Sequence, residues 1–156
     1  MSEKKQKNIF VSGPVVPAFV GESIQQHSKK TGIGAHSIFL GQVRADTSNG
    51  QTVIAIEYTT YEEMALETMH GIREAIFTKY NLSCMHVYHS LGSVAAGEIS
   101  LFVFTSSARR KAAIDACEEI VERIKAELPV WGKELFDNEG YQWKENSPVN
   151  PAMGQL

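Results

Sequence analysis

The stretch SSARRKAAIDACEEIVERIKAELPVWGKE, from Ser106 to Glu134, organises the rest of the chain. Ala113, Cys117, Ile120, Ile124 and Leu128 recur at the three-and-four spacing that turns one helix face toward a core. Ser106 and Ser107 suit its start, because a side-chain hydroxyl can accept from the free N–H groups of a first turn. Pro129 lacks the N–H needed to continue and ends it. Glu118, Glu119 and Glu122 fall on the solvated face, with Glu118 and Glu119 spaced to pair with Arg or Lys one turn away.

The start of this helix carries a charge opposed to its dipole. Arg109, Arg110 and Lys111 crowd a first turn whose partial positive charge favours Asp or Glu. Free backbone N–H groups with guanidinium groups beside them make a site for a phosphate or carboxylate, so this turn is a candidate anion pocket; a solvated basic turn is the alternative. Lys125 in the last turn and Lys133 beyond Pro129 and Trp131 add two more cations. A lysine near a helix C-terminus is by itself an ordinary dipole partner.

Working outward, EISLFVFTS before this helix is a strand with Ile99, Leu101 and Val103 on one face and Phe102 and Phe104 on the other. An anion held at the helix start would therefore sit at the carboxyl end of a strand, where ligands of α/β layers often bind. Upstream, MHVYHSL (Met85–Leu91) alternates as a half-buried strand, and the Gly92–Gly97 segment reads as a connection between strands. It lacks the GK[ST] ending of a nucleotide cradle.

From Glu62 to Tyr80 the spacing is helical, with Ala65, Met69, Ile72, Ile76 and Tyr80 in one stripe. TVIAIEYTTY and AHSIFLGQVR (Ala35–Arg44) read as strands joined by the polar hairpin ADTSNG, the first of them buried on both sides. A short strand at Ile9–Val11 and a modestly amphipathic helix from Pro17 to about Lys30 complete the N-terminal part. The order β-α-β-β-α-β-β-α lacks strict βαβ alternation and predicts an α+β fold, helices packed on a mixed or antiparallel sheet. LPVWGKELFDNEGYQWKENSP carries Trp131, Phe136, Tyr141 and Trp143, expected to fold back on the sheet or close the pocket. Residues 1–7 and about 147–156 are expected to be flexible.

At 156 residues, one domain spanning the chain is expected. The 43% apolar and 21% charged composition is that of a soluble globular protein, and a net charge of −3 gives no general attraction to nucleic acid or anionic membrane. Cys84 and Cys117 form no CxxC pair, and no His cluster shows metal-ligand spacing, so neither a disulfide framework nor a zinc site is expected, and a reducing cytoplasm fits. The leader lacks an apolar h-region, and no run approaches a membrane span.

Of the histidines at 27, 36, 70, 86 and 89, His86 and His89 lie three apart on a strand and face opposite ways, so they cannot share a metal. Cys117 sits on the buried helix face as an inert thiol. What remains is cation-rich: Arg44, Arg109, Arg110, Lys125 and Lys133. Such a set suits an anionic substrate, with lysine as the proton-transfer or covalent group.

GQVRADTSNG after a strand, the Ser106–Glu134 stretch and the closing GYQWKE together resemble the large, catalytic subunit of molybdopterin synthase, the MoaE family, from about Gly34 to Glu145. The resemblance implies an α/β hammerhead fold and a homodimer that binds two small ubiquitin-like sulfur-carrier subunits (MoaD-type) as a heterotetramer. It implies a sulfurtransferase that moves sulfur from the carrier's C-terminal Gly-Gly thiocarboxylate to cyclic pyranopterin monophosphate, twice, to form the dithiolene of molybdopterin. No cofactor is implied, and the sulfur comes from the partner.

On this resemblance Gln42, Val43 and Arg44 line the phosphate pocket, with Arg109 and Arg110 as the helix-start pair. Lys125 matches the family's essential lysine, beside the carrier's terminus, and Gly132, Lys133 and Glu134 match its second basic segment. Many members have Lys where this chain has Gly132 and His where it has Arg109; Lys133 is expected to supply the missing charge from one position along. Leu128, Val130 and Trp131 are candidates for the groove that receives the carrier's tail. From the residues alone, a non-catalytic module holding a phosphorylated ligand, or a nucleic-acid binder, remains open.

Overall fold

The computed structural model describes residues 8–144. Its elements run β1 (Phe10–Ser12), α1 (Pro17–His27), β2 (Ala35–Gln42), β3 (Thr47–Ser48), β4 (Gln51–Thr60), α2 (Glu62–Lys79), β5 (Cys84–Ala95), β6 (Ile99–Ser107), α3 (Arg110–Glu127), β7 (Val130–Phe136) and β8 (Tyr141–Trp143). The strands form one sheet in the order β2-β6-β5-β4-β7-β8, with β1 beside β5 and β3 beside β4. Among the described residues only the β1–β5 pairing is parallel. The α+β expectation of helices on a mixed, mainly antiparallel sheet holds, and the flexible leader and tail fall outside the described residues.

β6 shows how alternation builds two cores. Leu101 and Val103 face a cluster containing Met69, Ile72 and Ile76 of α2 and Cys117, Ile120 and Ile124 of α3. Phe102 and Phe104 point the other way, onto Val15, Phe19 and Val20 at α1. The stripes expected on α2 and α3 are buried, although Tyr80 is only partly so. Glu119 pairs across to α2, with Lys79 Nζ at 2.7 Å and Tyr80 Oη at 2.8 Å, rather than within its own helix.

Three local expectations are corrected. Gly92–Ala95 is no loop: β5 runs on through it, and residues 84–89 pair with β6 while residues 92–95 pair with β4. Gly92, at φ 84°, turns the strand between these partners in a conformation that L side chains resist. Ser106 and Ser107 do not cap α3; both remain in β6, buried, and Arg109 is the N-cap with no side-chain cap bond. β4 is not buried on both sides: its register with β7 shifts between Val53 and Ala55, and Ile54 turns outward. The segment after Pro129, not assigned to strands from sequence, forms β7 and β8 and extends the sheet.

Candidate active site

α3 ends where Leu128 seats in the core, and Pro129 redirects the chain into β7, which runs back along β4. Gly132 then lies opposite Tyr58. A Cβ at this position would stand 2.9 Å from Ile56 Cγ2 and 3.4 Å from Tyr58 Cε1, so a side chain at 132 would require these two side chains to shift. Between this strand pair and the end of α3 lies a cavity of about 220 Å³ bordered by Tyr58, His89, Lys125, Leu128, Val130, Trp131, Gly132 and Lys144.

Burial pushes the Lys125 ammonium below its ordinary pKa; the neighbouring Lys144 adds to this and Glu122 opposes it. His89 is buried, and its pKa is lowered from 6.5 to about 4, mainly by desolvation, with Lys125 contributing and the Ser90 carbonyl opposing. Its Nδ1 is 2.8 Å from the Ser90 carbonyl oxygen, which can only accept, so Nδ1 carries the proton and Nε2 keeps its lone pair. Burial also raises the Tyr58 hydroxyl pKa, and that hydroxyl donates to Ser100 Oγ at 3.3 Å. The pocket thus combines a lysine whose ammonium is disfavoured by burial, a neutral imidazole and a neutral phenol, a set able to hold an anion and move a proton.

His89 has a pH consequence. Its folded pKa lies below the unfolded value, so the stability tied to the neutral ring is present above pH 6.5 and is lost as pH falls toward about 4. The loss is expected to reach about 3 kcal/mol, at about 1.4 kcal/mol per tenfold change in proton affinity. Urea unfolding from pH 7 to 4 should show this loss in the wild type and a flatter profile in His89→Gln; equal slopes in both would exclude His89 as its source.

The expected site residues separate into three places. Arg109 and Arg110 line an open cleft of about 690 Å³ with Gly34, Ala108, Lys111 and Asp115, and Lys111 is engaged by Asp115 at 3.0 Å. Fifteen residues of helix separate Arg110 from Lys125, about 22 Å along the axis at ~1.5 Å per residue. Arg44 lines a third cleft, of about 580 Å³, with Glu134 and Lys144, and pairs with Asp46 at 3.3 Å.

Val43 is not available to a ligand. Its side chain is buried with Val53, Ile56, Val94 and Phe136, and its N–H and C=O are taken by Glu98 and Gly97. Gln42 is exposed beside it at the end of β2.

Lys133 does not stand in for a lysine at 132. Strand alternation turns it to the opposite face, where it lies 3.7 Å from Glu57 and over the rings of Tyr141 and Trp143. The second cation of the cavity is Lys144, which sequence reasoning passed over. The β7–β8 hairpin pairs Lys133 with Trp143, and the Lys144 N–H donates to the Gly132 carbonyl at 2.8 Å, which fixes residue 144 beside 132. The only sequence signal for it was GYQWKE, a motif without an assigned role. His89 and Tyr58 are further site residues that the sequence reading does not single out: His89 enters it only as a residue unable to share a metal with His86, and Tyr58 only as part of a strand.

The family model described as MoaE protein matches residues 17–127. The chain is 39% identical over 116 residues to molybdopterin synthase catalytic subunit 1 of Aedes aegypti, covering 72% of this chain and 74% of that one. It is 38% identical over 128 residues to the molybdopterin synthase catalytic subunit of Drosophila willistoni, covering 80% of this chain but 34% of that protein. The chain thus spans about a third of the length of this Drosophila relative. Among solved structures, molybdopterin synthase from Staphylococcus aureus superposes with a TM-score of 0.75 at 28% identity, covering 92% of this chain and 99% of that one. Matched over most of its length by the family model and by relatives of comparable size, and folded as the Staphylococcus structure is folded, the chain belongs to the MoaE family.

Proposed function

We propose that this chain is a molybdopterin synthase catalytic subunit, a sulfurtransferase that delivers sulfur from the thiocarboxylated C-terminus of a small sulfur-carrier subunit to cyclic pyranopterin monophosphate. The observation that carries this reading is Lys125 at the cavity bordered by Leu128, Val130 and Trp131, beside β7. An extended chain terminus entering this cavity brings its terminal carbonyl group to the ammonium. Lys125 then stabilises the negative charge that develops as sulfur leaves the carrier, and its lowered pKa lets it exchange a proton in the same step. His89 stays neutral beside it and adds no competing positive charge.

The phosphate of the substrate calls for the arginines. One small ester cannot touch Arg110 and Lys125 of the same helix across about 22 Å. A homodimer that sets the helix start of one protomer against the Lys125 cavity of its partner would complete the site, which ties the proposed heterotetramer to catalysis. Arg44 and Lys144 border one cleft, and Lys144 also borders the Lys125 cavity, so this lysine is placed to link phosphate binding to sulfur delivery. No metal or cofactor enters this scheme, and free thiols at Cys84 and Cys117 suit a reducing cytoplasm.

The test is a reconstitution of this chain with a thiocarboxylated carrier and cyclic pyranopterin monophosphate, following dithiolene pterin. Product is expected; its absence from folded, carrier-bound protein would leave the binding-module reading in front. Lys144→Ala is expected to lower turnover about tenfold, about 1.4 kcal/mol at the transition state, and to move the alkaline limb of the pH–rate profile upward by relieving Lys125 of a like charge. A tenfold loss with an unmoved profile would assign Lys144 to phosphate binding alone.

A further inference from the structure

His27, Cys84 and His86 belong to a part of the molecule that the sulfur-transfer site does not use. His27 is the last residue of α1, while Cys84 and His86 stand two apart on β5 and so share the sheet face that α1 covers. One ligand atom from each lies within 4.8 Å of the other two, and the Nε2 atoms of His27 and His86 are 3.0 Å apart. Sequence spacing gave no hint of this grouping, because 57 positions separate His27 from Cys84.

We propose that His27, Cys84 and His86 bind a zinc-class ion that ties the end of α1 to β5. The donor set is one sulfur and two imidazole nitrogens, the N/S chemistry of Zn²⁺, whereas Ca²⁺ and Mg²⁺ require oxygen. Around an ion with bonds of ~2.0 Å to nitrogen and ~2.3 Å to sulfur, tetrahedral donors of this set stand roughly 3.3–3.6 Å apart, so these atoms reach binding positions with small side-chain movements.

His27 is already oriented for it. Its Nδ1 lies 2.7 Å from the Ser23 carbonyl oxygen, which fixes the proton on Nδ1 and leaves the Nε2 lone pair free to coordinate, the outer-shell arrangement typical of metal-bound histidine. His27 and Cys84 are buried and His86 is half-buried, so water can fill the fourth position.

Without an ion the same atoms can satisfy one another, with His86 Nε2–H donating to His27 Nε2 and Lys30 Nζ donating to Cys84 Sγ at 2.9 Å. Binding therefore releases the thiol proton to solvent and shifts the His86 ring proton to Nδ1. It also sends the Lys30 ammonium, carried by an exposed residue, out into water. Lys30 is in this account a competitor of the metal.

The 156-residue chain, stripped with chelator and returned to buffer, would be titrated calorimetrically with Zn²⁺ and spectroscopically with Co²⁺. One equivalent of Zn²⁺ is expected to bind and to raise the thermal midpoint, and Co²⁺ is expected to show a thiolate charge-transfer band. That band should survive in Cys117→Ser and vanish in Cys84→Ser. His27→Gln should weaken Zn²⁺ binding by at least about 100-fold, since even loss of an outer-shell partner costs ~10–100-fold, and Lys30→Met should tighten it. The wild-type titrations require no variant to fold, and none of these readouts depends on sulfur transfer. Absence of stoichiometric Zn²⁺ binding to the folded wild type, or a cobalt band that persists in Cys84→Ser, would overturn the proposal and leave a hydrogen-bonded histidine pair.

Discussion

Replacing Lys125 by alanine is expected to lower dithiolene formation by about 100- to 1,000-fold while leaving fold and carrier binding intact, the range seen when one preorganised electrostatic group is removed from a reacting centre. The effect is large because Lys125 is half-buried at the edge of a small cavity, where its ammonium is screened less than a fully exposed charge. Its side chain is not part of the α3 stripe that builds the core, so the loss falls on chemistry rather than on stability. Lys125→Arg separates two roles. Arginine keeps the charge but gives up no proton at ordinary pH, so recovery of most of the rate would point to electrostatic stabilisation, and a rate as low as that of alanine would point to proton transfer. A Lys125→Ala protein that retains near-wild-type turnover would remove Lys125 from the mechanism.

Phe102→Ala is expected to cost about 3–5 kcal/mol of folding stability, the usual range for deleting a buried ring. Phe102 is fully buried and lies edge-on to Phe19 at 6.1 Å, stacked on Tyr88 at 5.6 Å and next to Phe104 at 6.0 Å. These rings join α1 to the sheet face opposite α2 and α3, so little else can collapse into the space left behind. The measurement is the urea midpoint with the slope of the transition unchanged; a shift worth less than about 1 kcal/mol would mean that α1 repacks freely. The same rings underlie His27 at the end of α1, with Phe104 4.8 Å from it and stacked on His36 of β2 at 5.0 Å.

Much of this molecule is legible in local pattern. The stripe Ala113, Cys117, Ile120, Ile124 and Leu128 is buried as its spacing requires, as are Ala65, Met69, Ile72 and Ile76, and the alternation in β6 sorts its residues onto two faces. Such features are periodic over a few turns, and the chain carries them without reference to distant segments. The motifs in Ser106–Glu134, with GQVRADTSNG and GYQWKE, were enough to indicate the family. Local pattern misled where a partner strand intervened. Gly92 looked like the end of a strand until β4 took over the pairing, and Ser106 and Ser107 looked like caps although both still belong to the ladder with β2.

The sites, by contrast, were decided in three dimensions. Lys125 and the arginines share one sequence motif, yet the rigidity of an 18-residue helix holds them at opposite ends. Lys133 sits next to Gly132 in sequence, but strand alternation sends it to the other face, while a hairpin hydrogen bond brings Lys144 to the cavity from twelve residues away. His89 joins Lys125, and His27 meets Cys84 and His86, only through strand and helix packing. The sequence by itself determined which residues turn inward, because side-chain period is local. Which charged and metal-ligating groups meet depends on strand partners and register, which are set by long-range pairing and leave no periodic trace along the chain.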